Sequence, residues 1–88
     1  MTAEETLLEW GYEDVVIFYN PSYDDALIGV TTDNRAVYDY DLMVNWLIKH
    51  EGFECDEAVE WIEYNTIGSL PYGGEAGPII VHRLPEHE

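Results

Sequence analysis

Residues 26–52 read ALIGVTTDNRAVYDYDLMVNWLIKHEG and carry both periodicities that a mixed fold requires. Two short runs rich in β-branched and aromatic residues, 26–32 and 36–40, flank Asp33-Asn34, a pair suited to a hairpin turn. Gly29 inside the first run marks a bulge or a close backbone contact. Helical spacing then takes over. Leu42, Met43, Trp46, Leu47 and His50 recur along one stripe, Asp39 or Asp41 stands at the N-cap, and Gly52 closes the element.

Towards the N-terminus, Thr2 and Glu5 have the spacing of a capping box, Ala3, Leu7 and Trp10 share a helical face, and Gly11 stands at a stop. Glu4, Glu5 and Glu9 then face solvent. Val15, Val16, Ile17 and Phe18 form a run that is apolar on both faces, so 14–19 is expected to be a central strand covered on each side. Asn20-Pro21-Ser22 ends it. The three strands are expected to form an antiparallel meander.

Towards the C-terminus, a third helix is expected from about Asp56 to Thr66, with Ala58, Val59, Ile62 and Thr66 inward, Trp61 alongside, and Asp56, Glu57, Glu60 and Glu63 in one outer arc. Residues 68–74 are turn-rich. Pro78 suits the first position of a strand through Ile79, Ile80 and Val81. The expected architecture is α+β, a single domain in the order α-β-β-β-α-α-β, with a mainly antiparallel sheet packed by helices.

Eighty-eight residues suffice for one hydrophobic core and are too few to divide. With 47% hydrophobic and 14% aromatic residues the chain lacks the composition of a disordered one. The single cysteine, Cys55, excludes an internal disulfide. The first ten residues lack the basic start and apolar run of a secretion signal, and no apolar run approaches the ~20 residues of a membrane span. A reducing cytoplasm is the expected setting. Charge dominates: 19 Asp and Glu face 3 Lys and Arg, a formal net charge of -16. Such a balance argues against binding nucleic acid or an anionic membrane, and it exceeds what solubility alone asks of a small domain.

Few residue patterns suggest reaction chemistry. Cys55 can be paired on paper with His50 or His82, but Glu54, Asp56 and Glu57 beside it disfavour the thiolate that a nucleophile needs. Asp24-Asp25 and Asp39-Tyr40-Asp41 offer oxygens without the glycine and bidentate glutamate of a calcium loop. Gly73-Gly74 precedes no lysine and forms no phosphate loop. No enzyme activity, metal or cofactor is therefore expected. Seven tyrosines are more than so small a core holds, so several are expected to be partly exposed, either capping the core with the hydroxyl in water or, beside carboxylates, recognising arginine.

The placement of the acids is more telling than their number. Glu51, Glu54, Asp56, Glu57, Glu60, Glu63 and Glu75 lie between His50 and His82 with no Lys or Arg among them. A solvated helix face gains a few tenths of a kcal/mol per pair from opposite charges at i,i+4, and this one forgoes that gain. A ridge of carboxylates at such spacing can occupy the basic groove with which a protein holds phosphates, and so exclude nucleic acid. The expected binding residues are Glu51, Glu54, Asp56, Glu57, Glu60, Glu63 and Tyr64.

The stretch IEYNTIGSLPYGGEAGPIIV, residues 62–81, resembles one that recurs in small acidic proteins encoded by phages and prophages of gut bacteria. The likeness extends back through GYEDVVIFYNPSYDDALIGVTTDNRAVYDYDLMVNWL, residues 11–47, and so covers nearly the whole chain. Gly68 departs from it, standing where a basic residue is expected. The family has no established activity, so the resemblance implies a phage origin and no catalytic residue. In size and charge alone the chain is also similar to anti-CRISPR proteins and to the uracil-DNA glycosylase inhibitor, with no shared motif. The expectation is an inhibitor in the host bacterial cytoplasm that binds the basic surface of a nucleic-acid-binding host protein and touches neither nucleic acid nor membrane. The rival expectation is a structural or regulatory phage subunit acting through homo- or hetero-oligomerisation.

Overall fold

Hairpin and helix form in succession from residues 26–52, as their two periodicities require. The computed structural model describes residues 2–19, 21–67 and 77–84. Strand β1 (Leu27–Val30) pairs antiparallel with β2 (Ala36–Asp39), and a register shift between Leu27 and Gly29 places the bulge at the glycine-containing run. The turn closes through Asn34 N–H to Thr31 C=O at 3.0 Å and Thr31 N–H to Arg35 C=O at 2.8 Å. Asn34 takes φ +64°, a left-handed conformation that asparagine tolerates.

Helix α2 (Tyr40–Glu51) begins where β2 stops, because Asp39 accepts the Leu42 N–H at 3.0 Å. Of the two candidate caps, Asp39 is the one used. Tyr40, expected at the strand end, is the first helical residue instead. Gly52 ends the helix at φ +72°. Helix α1 (Ala3–Glu9) carries the expected Thr2–Glu5 capping box, and its Ala3 N–H donates to Asp24 Oδ1 at 2.8 Å, tying it to the 3₁₀ turn Asp24–Ala26.

Two expectations about the sheet are overturned. The run 14–19 forms no strand: Asp14 is a bend and residues 15–19 take no regular secondary structure. It lines the core through buried Ile17, with Val15 and Phe18 packed on the cluster, while Val16 is 44% exposed. Its Phe18 N–H donates to the Tyr38 hydroxyl at 3.2 Å rather than to a strand carbonyl. An apolar run reads alike for a strand and for a core-lining segment, because periodicity alone does not reveal a ladder partner. The sheet order is β1-β2-β3, so β2 takes the central place.

The second correction concerns direction. Strand β3 (Ile79–Val81) pairs parallel to β2, with Val37 opposite Ile79, which makes the sheet mixed rather than mainly antiparallel. Parallel pairing needs a long crossover, and the two helices between β2 and β3 supply it. The fold is α+β, and its described elements run α-β-β-α-α-β. The expected turn at 68–74 lies outside the described residues.

The core packs Leu7, Ile17, Tyr23, Tyr38, Met43, Leu47 and Ile62 between α2, β2 and the third helix. Tyr23 sits at φ +49°, an uncommon conformation for a large side chain. Complete burial, ring contacts with Phe18 and Trp46 at 5.6 Å, and a 2.7 Å hydroxyl contact with Thr66 hold it there.

Candidate protein-binding surface

Helix α3 (Cys55–Trp61) starts from a glutamate cap. Glu54 is extended at the N-cap, its side chain accepts the Glu57 N–H, and its own N–H donates to Glu57 Oε1 at 3.2 Å. Two of the seven expected binding residues thus also build the helix start. Negative charge in a first turn is favoured by the helix dipole, so Glu54, Asp56 and Glu57 stabilise α3 locally.

After Trp61 the helix widens. Residues Ile62–Thr66 form a π-helical segment, and the Ile67 N–H reaches back five residues to the Ile62 carbonyl. A regular α-helix through Thr66 is thereby corrected. Buried Ile62 and Thr66 keep the inner face predicted for them. Glu63, expected in the outer arc with Asp56 and Glu60, accepts a hydrogen bond from the Tyr40 hydroxyl at 3.2 Å. Burial first, and the Glu63 carboxylate second, raise the Tyr40 pKa.

On the outside of this segment lies an open groove of about 380 Å³ lined by Phe53, Glu57, Glu60, Trp61, Tyr64 and Asn65. Phe53 leans on Trp61 with ring centroids 5.7 Å apart, and Tyr64 is 77% exposed. A smaller cavity of about 220 Å³, lined by Pro21, Leu47, Glu51, Phe53 and Trp61, meets the same aromatic pair. All seven predicted residues are exposed. Glu57, Glu60 and Tyr64 share the groove, Glu51 borders the neighbouring cavity, and Glu54, Asp56 and Glu63 do not line the groove.

Phe53, Trp61 and Asn65 were missed as site residues. Their signal was present: 57, 61 and 65, and likewise 60 and 64, stand four apart, so they follow one another along a helix surface. Tyr64 was named with the acids, but the stripe in which carboxylates and rings alternate through Trp61 was not.

The cations of the chain are elsewhere. Arg83 pairs with Asp39, Arg35 donates to the Gly77 carbonyl at 2.9 Å, and Lys49 lies in the last turn of α2. Among the described residues no ion pair involves a groove carboxylate. A carboxylate beside an exposed ring can accept a guanidinium in-plane while the ring takes its face.

The reaction-chemistry candidates do not assemble. His50 stacks on Trp46 at 4.5 Å and lies 4.0 Å from Asp25, while His82 packs on Tyr40 at 4.5 Å. Neither hydrogen-bonds to Cys55, which is free and exposed. No group of three or more metal-ligating side chains gathers among the described residues. Asp24 is occupied by Ala3 and Ser22, and Asp39 by Leu42 and Arg83. No described helix is long and apolar enough to cross a membrane.

No protein-family model, no curated protein and no solved structure matches the chain.

Proposed function

We propose that this chain is a phage-encoded inhibitor that acts by binding, without catalysis, the basic nucleic-acid-binding surface of a host enzyme or defence complex in the bacterial cytoplasm. The carrying observation is the α3 groove, where Glu57 and Glu60 flank Trp61 and Tyr64 and, among the described residues, no cation is paired to them. Carboxylates along the helix stand in for phosphates, and the rings accept arginine side chains that would otherwise reach nucleic acid. Asp56, Glu54 and Glu51 extend the negative field beyond the groove, and Glu63 contributes charge while bonded to Tyr40.

The test is a pull-down from bacterial lysate, eluted with a salt gradient and repeated with duplex DNA as competitor. Glu60→Lys leaves the core untouched and places a cation in the last turn of α3, where the dipole favours it. Facing a basic partner, the same change costs several kcal/mol. The expected outcome is a folded variant by circular dichroism whose captured nucleic-acid-binding protein is lost. Equal capture by Glu60→Lys and by Tyr64→Ala removes the groove as the site. Capture that resists both salt and DNA favours an oligomeric phage subunit instead.

A further inference from the structure

A second groove, sharing no residue with the first, lies between α1 and the sheet. It has a volume of about 390 Å³ and is lined chiefly by Leu7, Trp10, Tyr12 and the whole of β1. Trp10, placed on the inner face of α1 by its spacing, is 76% exposed here, and Ile28 is 40% exposed. Strand β1 is an edge of the sheet. Among the described residues, no group outside the sheet hydrogen-bonds to the backbone of Leu27–Val30. Edges are blunted by lysine, proline, shortness or a bulge; β1, with the sequence LIGV, is short and bulged at Leu27–Gly29 but carries neither lysine nor proline, so its backbone groups stay accessible. Gly29 adds clearance, since a Cβ built there would meet nothing within 4 Å.

We propose that the β1 edge and this groove bind an extended peptide segment of a partner protein, one in which Lys or Arg alternates with aliphatic residues, by adding it to the sheet as a fourth strand. Main-chain hydrogen bonds to β1 supply affinity, and alternate side chains enter the apolar groove between Leu7, Trp10 and Tyr12. The opposite set of side chains meets charge. Exposed Glu9 precedes Trp10, exposed Glu13 and Asp14 follow Tyr12, and no cation among the described residues lines the groove. A second copy of the chain is the poorer occupant, because two molecules of charge -16 repel.

The probe is a fluorescein-labelled ten-residue peptide of alternating Lys and Val, titrated with the full chain by fluorescence anisotropy at low and physiological salt. Saturable binding is expected, with slowed amide hydrogen exchange at β1. The same peptide N-methylated at alternate residues keeps its charge and side chains but loses the ladder donors. Its affinity should fall by about tenfold or more, as the loss of several hydrogen bonds requires. Gly29→Phe should weaken the parent peptide while the circular dichroism spectrum stays unchanged, and Glu60→Lys on α3 should leave tight binding in place. Equal affinity for the N-methylated peptide, or for an oligolysine of matched charge, overturns the proposal by showing charge attraction alone. A dimer in sedimentation that Gly29→Phe dissolves also overturns it, making the second copy the occupant.

Discussion

The β2–α2 junction and the outer surface of α3 are both built of carboxylates and aromatic rings, but they use them in opposite ways. At the junction Tyr38, Asp39 and Tyr40 are buried in succession and each polar tip is engaged: Tyr38 with Phe18, Asp39 with Leu42 and Arg83, Tyr40 with Glu63. On α3, Glu57 and Glu60 stand in water beside Trp61 and Tyr64. A charge that holds a fold is withdrawn from solvent and compensated. One that meets a partner is left open, at a cost in self-repulsion. Asp39 belongs to the first kind, being only 2% exposed. Glu60 belongs to the second.

Alkaline titration should strike the junction hardest. Burial pushes the Tyr38 pKa up from 10.0 to about 12, the Phe18 N–H bond opposing it. A raised folded pKa contributes stability that is complete below the unfolded value and is lost as pH rises through the folded one. Between pH 10 and about 12 the chain should therefore lose roughly 3 kcal/mol from this group. Urea midpoints at pH 9 and pH 12 measure the loss, and equal midpoints would contradict the engaged junction.

Asp39→Ala should cost about 2 kcal/mol, combining a lost N-cap with a lost charge-assisted bond to Arg83. Burial opposes ionisation of Asp39, but the Leu42 N–H bond and Arg83 outweigh it, so its pKa is lowered. The stability it contributes is present above the unfolded value of about 3.9 and is lost as pH falls through the lower folded value. Asp39→Asn should accordingly flatten the acid limb of a stability–pH curve.

Salt sharpens the contrast from the other side. Screening of surplus surface acids should raise the melting temperature by a few degrees, with Mg²⁺ ahead of Na⁺ at equal ionic strength, since clustered carboxylates gain from a divalent ion. A melting temperature indifferent to salt would mean that the acids are already compensated. The smallest effects belong to α3 itself. Glu60→Ala and Cys55→Ser should each change stability by no more than about 0.5 kcal/mol in a urea titration, as expected for exposed side chains.

Local signals read well in this chain because their causes lie within a few residues. Thr2 with Glu5 and Gly11 frame α1, Asp39 and Gly52 frame α2, and Asp33-Asn34 places the hairpin turn. Pairing read poorly. The run 14–19 has strand composition, yet Tyr38 offers it a hydroxyl where a strand would need a neighbouring backbone. The exposure of the six acidic candidates was legible from the charge pattern. The partnership of Glu63 with Tyr40 was not, because those residues lie far apart in the chain.

By itself the sequence determined the helix caps at Thr2 and Gly52, the hairpin turn at Asp33-Asn34, the surplus of negative charge and the single thiol, since capping, turn chemistry and composition act over a turn or less. Only the tertiary structure decided that β3 runs parallel to β2, that α3 widens into a π-helical segment, and that Trp10 and Trp61 stand at grooves. Each of these depends on which distant surfaces meet. A helical crossover sets strand direction, and a core with room for only some of its aromatic rings leaves the others in solvent.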